Sequence, residues 1–90
     1  MNPLHKILTT HKGKGASVNN RESQWYGWMV IDVDPSKTQR DTVSTIEDVT
    51  EDLLILNYYD SKEIHYIPLE KIIKVKVKIG EVHDEDVDYF

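Results

Sequence analysis

Residues 73 to 79 alternate without a break. Ile73, Val75, Val77 and Ile79 are apolar, and Lys74, Lys76 and Lys78 stand between them. Successive side chains of a strand point to opposite faces, so this run is predicted to be a strand with one face buried and the other in water. Gly80 ends it. A second β signal is the run WYGWMVIDV, rich in aromatic and β-branched residues, whose alternation puts Trp25, Gly27, Met29, Ile31 and Val33 on one face. Asp34-Pro35-Ser36-Lys37 closes that run with turn chemistry, since a proline cannot donate to a ladder. Val43 to Val49 is a further strand candidate, and Glu51 to Tyr59, centred on Leu53-Leu54-Ile55-Leu56, is a stronger one. A helix competes for the leucine-rich stretch; its short length, the paired tyrosines and the following turn favour a strand. Asp60-Ser61 then reads as a tight turn into Lys62 to Pro68, which makes a hairpin.

The remainder is less regular. Met1 to Lys12 places Leu4, Ile7 and Leu8 at helical spacing, with Pro3 suited to a first turn. At about two turns such a helix is not stable alone, so it docks on something or frays. Gly13 to Gln24 holds no large apolar residue except Val18 and reads as a flexible loop. Five of the last ten residues are acidic, which marks a tail. The organisation expected is therefore a short helix and loop over 1–24, a β domain over 25–80, and an acidic tail over 81–90.

Ninety residues accommodate one small domain. The absence of cysteine excludes disulfides, Cys-ligated zinc and thiol catalysis. No apolar run approaches the ~20 residues of a membrane helix, and no basic-then-apolar leader opens the chain, so a cytoplasmic protein with no membrane contact is expected. A core this small, with neither disulfide nor metal to staple it, points to a homo-oligomer.

Five short strands with little helix predict a mainly all-β fold, a small antiparallel barrel of about five strands with a short N-terminal helix. The element order, with Ile67-Pro68-Leu69-Glu70-Lys71-Ile72 leading into the last strand, resembles the small SH3-like barrels, the group that includes Sm-like and PRC-barrel proteins. The resemblance covers Trp25 to Ile79 and implies a single turn of tight helix at the Ile-Pro-Leu step. The Arg-Gly step of Sm-like proteins has no counterpart here, so no uridine pocket is implied and no functional residue is carried over.

Catalysis finds little support. None of Ser17, Ser23, Ser36, Ser44 and Ser61 sits in a glycine-flanked elbow, and His65 reads as an ordinary half-exposed strand residue. Gly13-Lys14-Gly15 is not followed by the helix that makes a phosphate cradle. Asp32 and Asp34 share a strand-end face, and His83, Asp84, Glu85, Asp86 and Asp88 cluster in the tail. Some cation sites use the first arrangement, though a solvated turn explains it as well, and the tail cluster lacks the glycine and terminal glutamate of a calcium loop. No catalytic residue, metal site or cofactor is assigned.

Two surfaces stand out. Trp25, Tyr26, Trp28, Tyr58, Tyr59 and Tyr66 fall in three predicted strands, with Tyr26 and Trp28 opposite Trp25, and Tyr58 opposite Tyr59. Either one face shows aromatics to a partner, or both faces are covered, one of them by Leu4, Ile7 and Leu8. The lysines Lys71, Lys74, Lys76 and Lys78 either guard a sheet edge against aggregation or form a stripe whose ~6.6 Å spacing suits successive phosphates. The tail, Asp84-Glu85-Asp86-Val87-Asp88-Tyr89-Phe90, resembles in character the acidic tips of single-stranded-DNA-binding proteins, which dock on partners and compete with nucleic acid; solvation is its plainer role. The expected function is a non-enzymatic, self-associating module that binds a protein partner through Tyr26, Trp28, Tyr58 and Tyr66. The alternative is a single-stranded nucleic-acid binder using the four lysines, with Asp84, Glu85, Asp86, Asp88 and Phe90 as internal competitor.

Overall fold

The computed structural model of the chain describes residues 2–23 and 27–80. Helix α1 spans Pro3–Thr10. Asn2 caps it by accepting the Leu4 N–H at 2.8 Å, and Pro3 occupies a first-turn position where no donor is required. Leu8 is fully buried, so the helix docks. The chain then turns through Gly13, whose φ of 85° suits a residue without Cβ, and the Gly13 N–H donates to the Ile46 carbonyl at 2.8 Å.

Six strands follow: β1 Gly15–Val18, β2 Met29–Asp34, β3 Ser44–Val49, β4 Leu53–Tyr58, β5 Glu63–Pro68 and β6 Ile72–Val77. They form one sheet in the order β5-β4-β3-β1-β2-β6. All ladders are antiparallel except β2 with β6, which is parallel. The expected antiparallel barrel of about five strands is thus corrected to a mixed six-stranded sheet that is not closed, with β5 and β6 as its edges. The single tight turn expected at the Ile-Pro-Leu step is present as a 3-10 turn, Leu69–Lys71.

That turn determines the shape. It alone joins the two edge strands. From Pro68 to Ile72 the chain reaches at most about 14 Å, whereas five flat strand spacings would require about 24 Å. The sheet must therefore curl until the end of β5 nears the start of β6. Inside the curl lie Leu8, Ala16, Ile31, Val33, Ile46, Leu54, Leu56, Ile67, Leu69 and Ile72, with Met29, Tyr58, Val75 and Val77 packed against them.

Three further expectations are corrected. Gly15–Val18, read as linker, is an interior strand between β3 and β2. Its small residues suit close approach: a Cβ on Gly15 would lie 2.8 Å from the Lys37 Cβ. The second predicted strand begins at Met29 rather than Trp25, because Gly27 turns with φ 77°; Trp25 and Tyr26 lie outside the described residues. The apolar face of the last strand is only partly buried. Val75 and Val77 pack on the core, but Ile73 is 55% exposed and Ile79 98%. A register shift opposite Met29 and Val30 explains this, since Ile72 pairs with Met29 and Lys74 with Val30, leaving Ile73 as the extra residue. Residues 81–90, including the acidic tail, lie outside the described part. Among the described residues no helix is long and apolar enough to cross a membrane.

Candidate functional site

Register places Lys74, Lys76 and Lys78 on the outer face of the β6 edge, beside Val30, Asp32 and Asp34 of β2. The turn Asn19–Ser23 lies over this face. Asn19 accepts the Glu22 N–H at 3.0 Å, and the Asn19 N–H donates to the Val30 carbonyl at 2.8 Å. The Val30 N–H in turn donates to the Ser23 hydroxyl at 2.6 Å. Val30 is only 2% exposed although it points away from the core, because this turn covers it.

The turn also delivers a carboxylate to the lysines. Lys76 Nζ donates to Glu22 Oε2 at 2.7 Å, Lys74 Nζ lies 3.5 Å from Oε1, and Asn19 Nδ2 donates to Oε2 at 3.0 Å. The Lys76 hydrogen bond holds the Glu22 carboxyl below the usual glutamate range, and Glu22 raises Lys76 in return. Lys78 lies 3.7 Å from Asp34, whose carboxyl is lowered first by the Ser36 hydroxyl bonded to it. Asp32 accepts from Asn19 Nδ2 at 2.9 Å through Oδ2, while its buried Oδ1 has no partner. Three ammonium groups therefore meet two carboxylates, Glu22 and Asp34, with Asp32 held by Asn19 beside them. A phosphate at Lys74 and Lys76 competes with Glu22.

Asp32 and Asp34 also line a concavity of ≈ 570 Å³ together with Ser17, Lys37, Asp41 and Lys78. Among the described residues no group of three His, Asp or Glu side chains is placed to hold a metal ion.

The aromatic set does not form one surface. Tyr58 faces inward beside the core, half-buried; its hydroxyl accepts the Val18 N–H at 3.4 Å and its ring lies 4.3 Å from His65. Tyr59 shares a hydrogen bond with the buried Thr45 hydroxyl. Tyr66 is 62% exposed on the outer face of β5, beside Ile64 at 43%. Trp28 is 43% exposed at the entry to β2, with Lys71 Nζ 5.9 Å from the centre of its ring. His65 is half-exposed, as expected, and pairs with Glu63 at 2.9 Å. Tyr26 and the acidic tail residues lie outside the described part.

Glu22 and Asn19 were absent from the candidate residues. A signal existed: Glu22 is the only acid among the first 24 residues, and Asn19-x-x-Glu22 is the spacing of a side-chain-capped turn.

The chain matches no protein-family model, and no curated protein or solved structure matches it.

Proposed function

We propose that this chain is a non-enzymatic interaction module that works as a homo-oligomer and docks a protein partner at the corner where β2 and β6 begin. The observation that carries this reading is Trp28. It is a large indole left 43% exposed, with the Lys71 ammonium over its ring and Ile73 exposed in the adjoining strand. Burying such surface against a partner yields about 25 cal/mol per Å², and tryptophan beside a cation is the composition of an interface hot spot. The partner that fits presents an apolar side chain to the indole with an acid near Lys71. The likeness to SH3-like barrels concerns architecture in this reading and brings no binding residues.

The second reading, single-stranded nucleic acid, draws support from the same indole as a stacking platform next to the lysine edge. Two measurements separate them. Quantitative affinity capture with wild-type, Trp28→Ala and Lys71→Glu baits is expected to yield a nuclease-resistant protein prey lost with both variants. Anisotropy of labelled single-stranded RNA and DNA at ~50 mM salt, where electrostatic affinity is exaggerated, is expected to show no binding. Micromolar, steeply salt-dependent binding, together with a prey indifferent to Trp28, would replace the first reading with the second.

A further inference from the structure

The two edges of the sheet are built differently. Edge β6 carries Lys74, Lys76 and Lys78, and charged side chains of this kind block edge-to-edge pairing. Edge β5 reads Glu63-Ile64-His65-Tyr66-Ile67-Pro68, with no lysine or arginine and no register irregularity against β4. Its outer face presents Ile64 and Tyr66, continued by Ile55, which pairs with Tyr66 across the ladder. An edge without lysine or arginine, whose outer side chains are Ile64 and Tyr66, is a template for another strand.

We infer that the occupant of this edge is a second copy of the same chain, paired antiparallel through β5 about a two-fold axis at His65. This deepens the self-association in the reading above and is independent of the Trp28 corner. The register follows from the chain. A two-fold axis perpendicular to the sheet keeps outer faces together, so a residue must meet one of its own parity. Pro68 has no N–H to offer, and Lys62, with φ 55°, lies in the turn. The usable edge is therefore Glu63 to Ile67, and its centre is His65.

In that register Ile64 of each copy faces Tyr66 of the other, giving two aliphatic–aromatic pairs on the outer face. The polar groups are self-complementary as well: Glu63 lies diagonal to His65 of the second copy, a pair that occurs twice. Helix α1 packs against β3, and Ile64 and Tyr66 of β5 are exposed. The product is one continuous sheet of two curled halves, with both lysine edges and both Trp28 corners free.

Light scattering after size exclusion tests this on the full chain at ~100 μM, the concentration being our choice. The wild type is expected at twice 10.5 kDa. Ile64→Lys and Tyr66→Lys are expected to be folded monomers, because both positions are already in solvent, and circular dichroism confirms the fold. Trp28→Ala is expected to remain dimeric. Mild oxidation supplies the register: in a chain with no cysteine, His65→Cys should cross-link nearly completely and Val43→Cys should not. A dimer indifferent to both lysine variants, or a His65→Cys chain that does not cross-link, overturns the β5 assignment while self-association stands. A wild-type monomer overturns both and leaves the Trp28 corner to its own test.

Discussion

Replacing Leu8 by alanine tests whether the N-terminal helix belongs to the domain. Eight residues of helix have little stability of their own. What holds α1 is the Asn2 cap, the Asn2 Nδ2 donation to the Leu69 carbonyl at 3.3 Å, and the burial of Leu8 among the core side chains. Leu8 is 0% exposed, so Leu8→Ala removes its full transfer free energy and leaves a cavity, a loss of about 3 kcal/mol. Ninety residues at 0.05–0.15 kcal/mol each give a total stability of roughly 5–13 kcal/mol, so the loss is a large fraction. The neighbouring Ile7 is 42% exposed, and Ile7→Ala should cost only about 1 kcal/mol. Urea unfolding followed by far-UV circular dichroism reads both, at one protein concentration because the proposed dimer would contribute to the midpoint. Leu8→Ala should lower the midpoint by about 1–3 M at the slopes usual for small domains, with the slope unchanged. If Leu8→Ala costs no more than Ile7→Ala, the helix frays in solution and the docking argument fails.

Glu22→Gln should weaken the fold near neutral pH and not in strong acid. The folded carboxyl is lowered by Lys76, so its contribution is present above the unfolded glutamate value of ~4.3 and is lost as pH falls through the depressed value; a urea midpoint measured from pH 7 to pH 2 checks it. The same variant should raise the affinity for single-stranded polyanions at low salt, since it frees Lys74 and Lys76. Gly15→Ala should destabilise by roughly 1–3 kcal/mol, because the new Cβ meets the Lys37 Cβ at 2.8 Å and Thr42 Oγ1 at 3.3 Å. Ser44→Ala should cost about 1–3 kcal/mol, since the buried Ser44 hydroxyl donates to the Ala16 carbonyl inside the sheet. Thermal melts of both variants read these directly.

Local signals made five of the six strands legible, to within a few residues: alternation for β2 and β6, a short apolar run closed by paired tyrosines for β4, and the Asp60-Ser61 turn for its hairpin partner β5. Strand β1 wrote nothing comparable. Gly15-Ala16-Ser17-Val18 is an interior strand because β2 and β3 flank it and Lys37 crowds Gly15, which are properties of the neighbours. Alternation places Val75 and Val77 of β6 inward, but it carries neither the register shift that turns Ile73 out nor the direction of the partner strand, so the parallel ladder with β2 was not legible. The lysines were found as a set for the same local reason. Their partners were not, since Glu22 reaches Lys76 across 54 residues of chain. The single aromatic surface failed differently. Alternation assigns the aromatics to faces without saying what covers each face, and the inward position of Tyr58 and the Thr45 partner of Tyr59 take up two of them.

The lysine edge and the turn above it form one mechanical unit, and this favours the guarding role over phosphate binding. Displacing the Glu22 carboxylate breaks two ion pairs and its Asn19 contact, while the turn over Val30 stays held by the Asn19 and Ser23 bonds to Val30 and by Asn19 on Asp32. Exposed ion pairs are worth under ~1 kcal/mol each, so a phosphate that takes the place of Glu22 recovers about what it breaks and gains little. A guard needs no exchange: the lysines keep their charge outward on the free side of β6 while Glu22 holds Lys74 and Lys76 in place. The β5 edge has no lysine guard of this kind among the described residues, and this is why the second copy is proposed to add there rather than at β6.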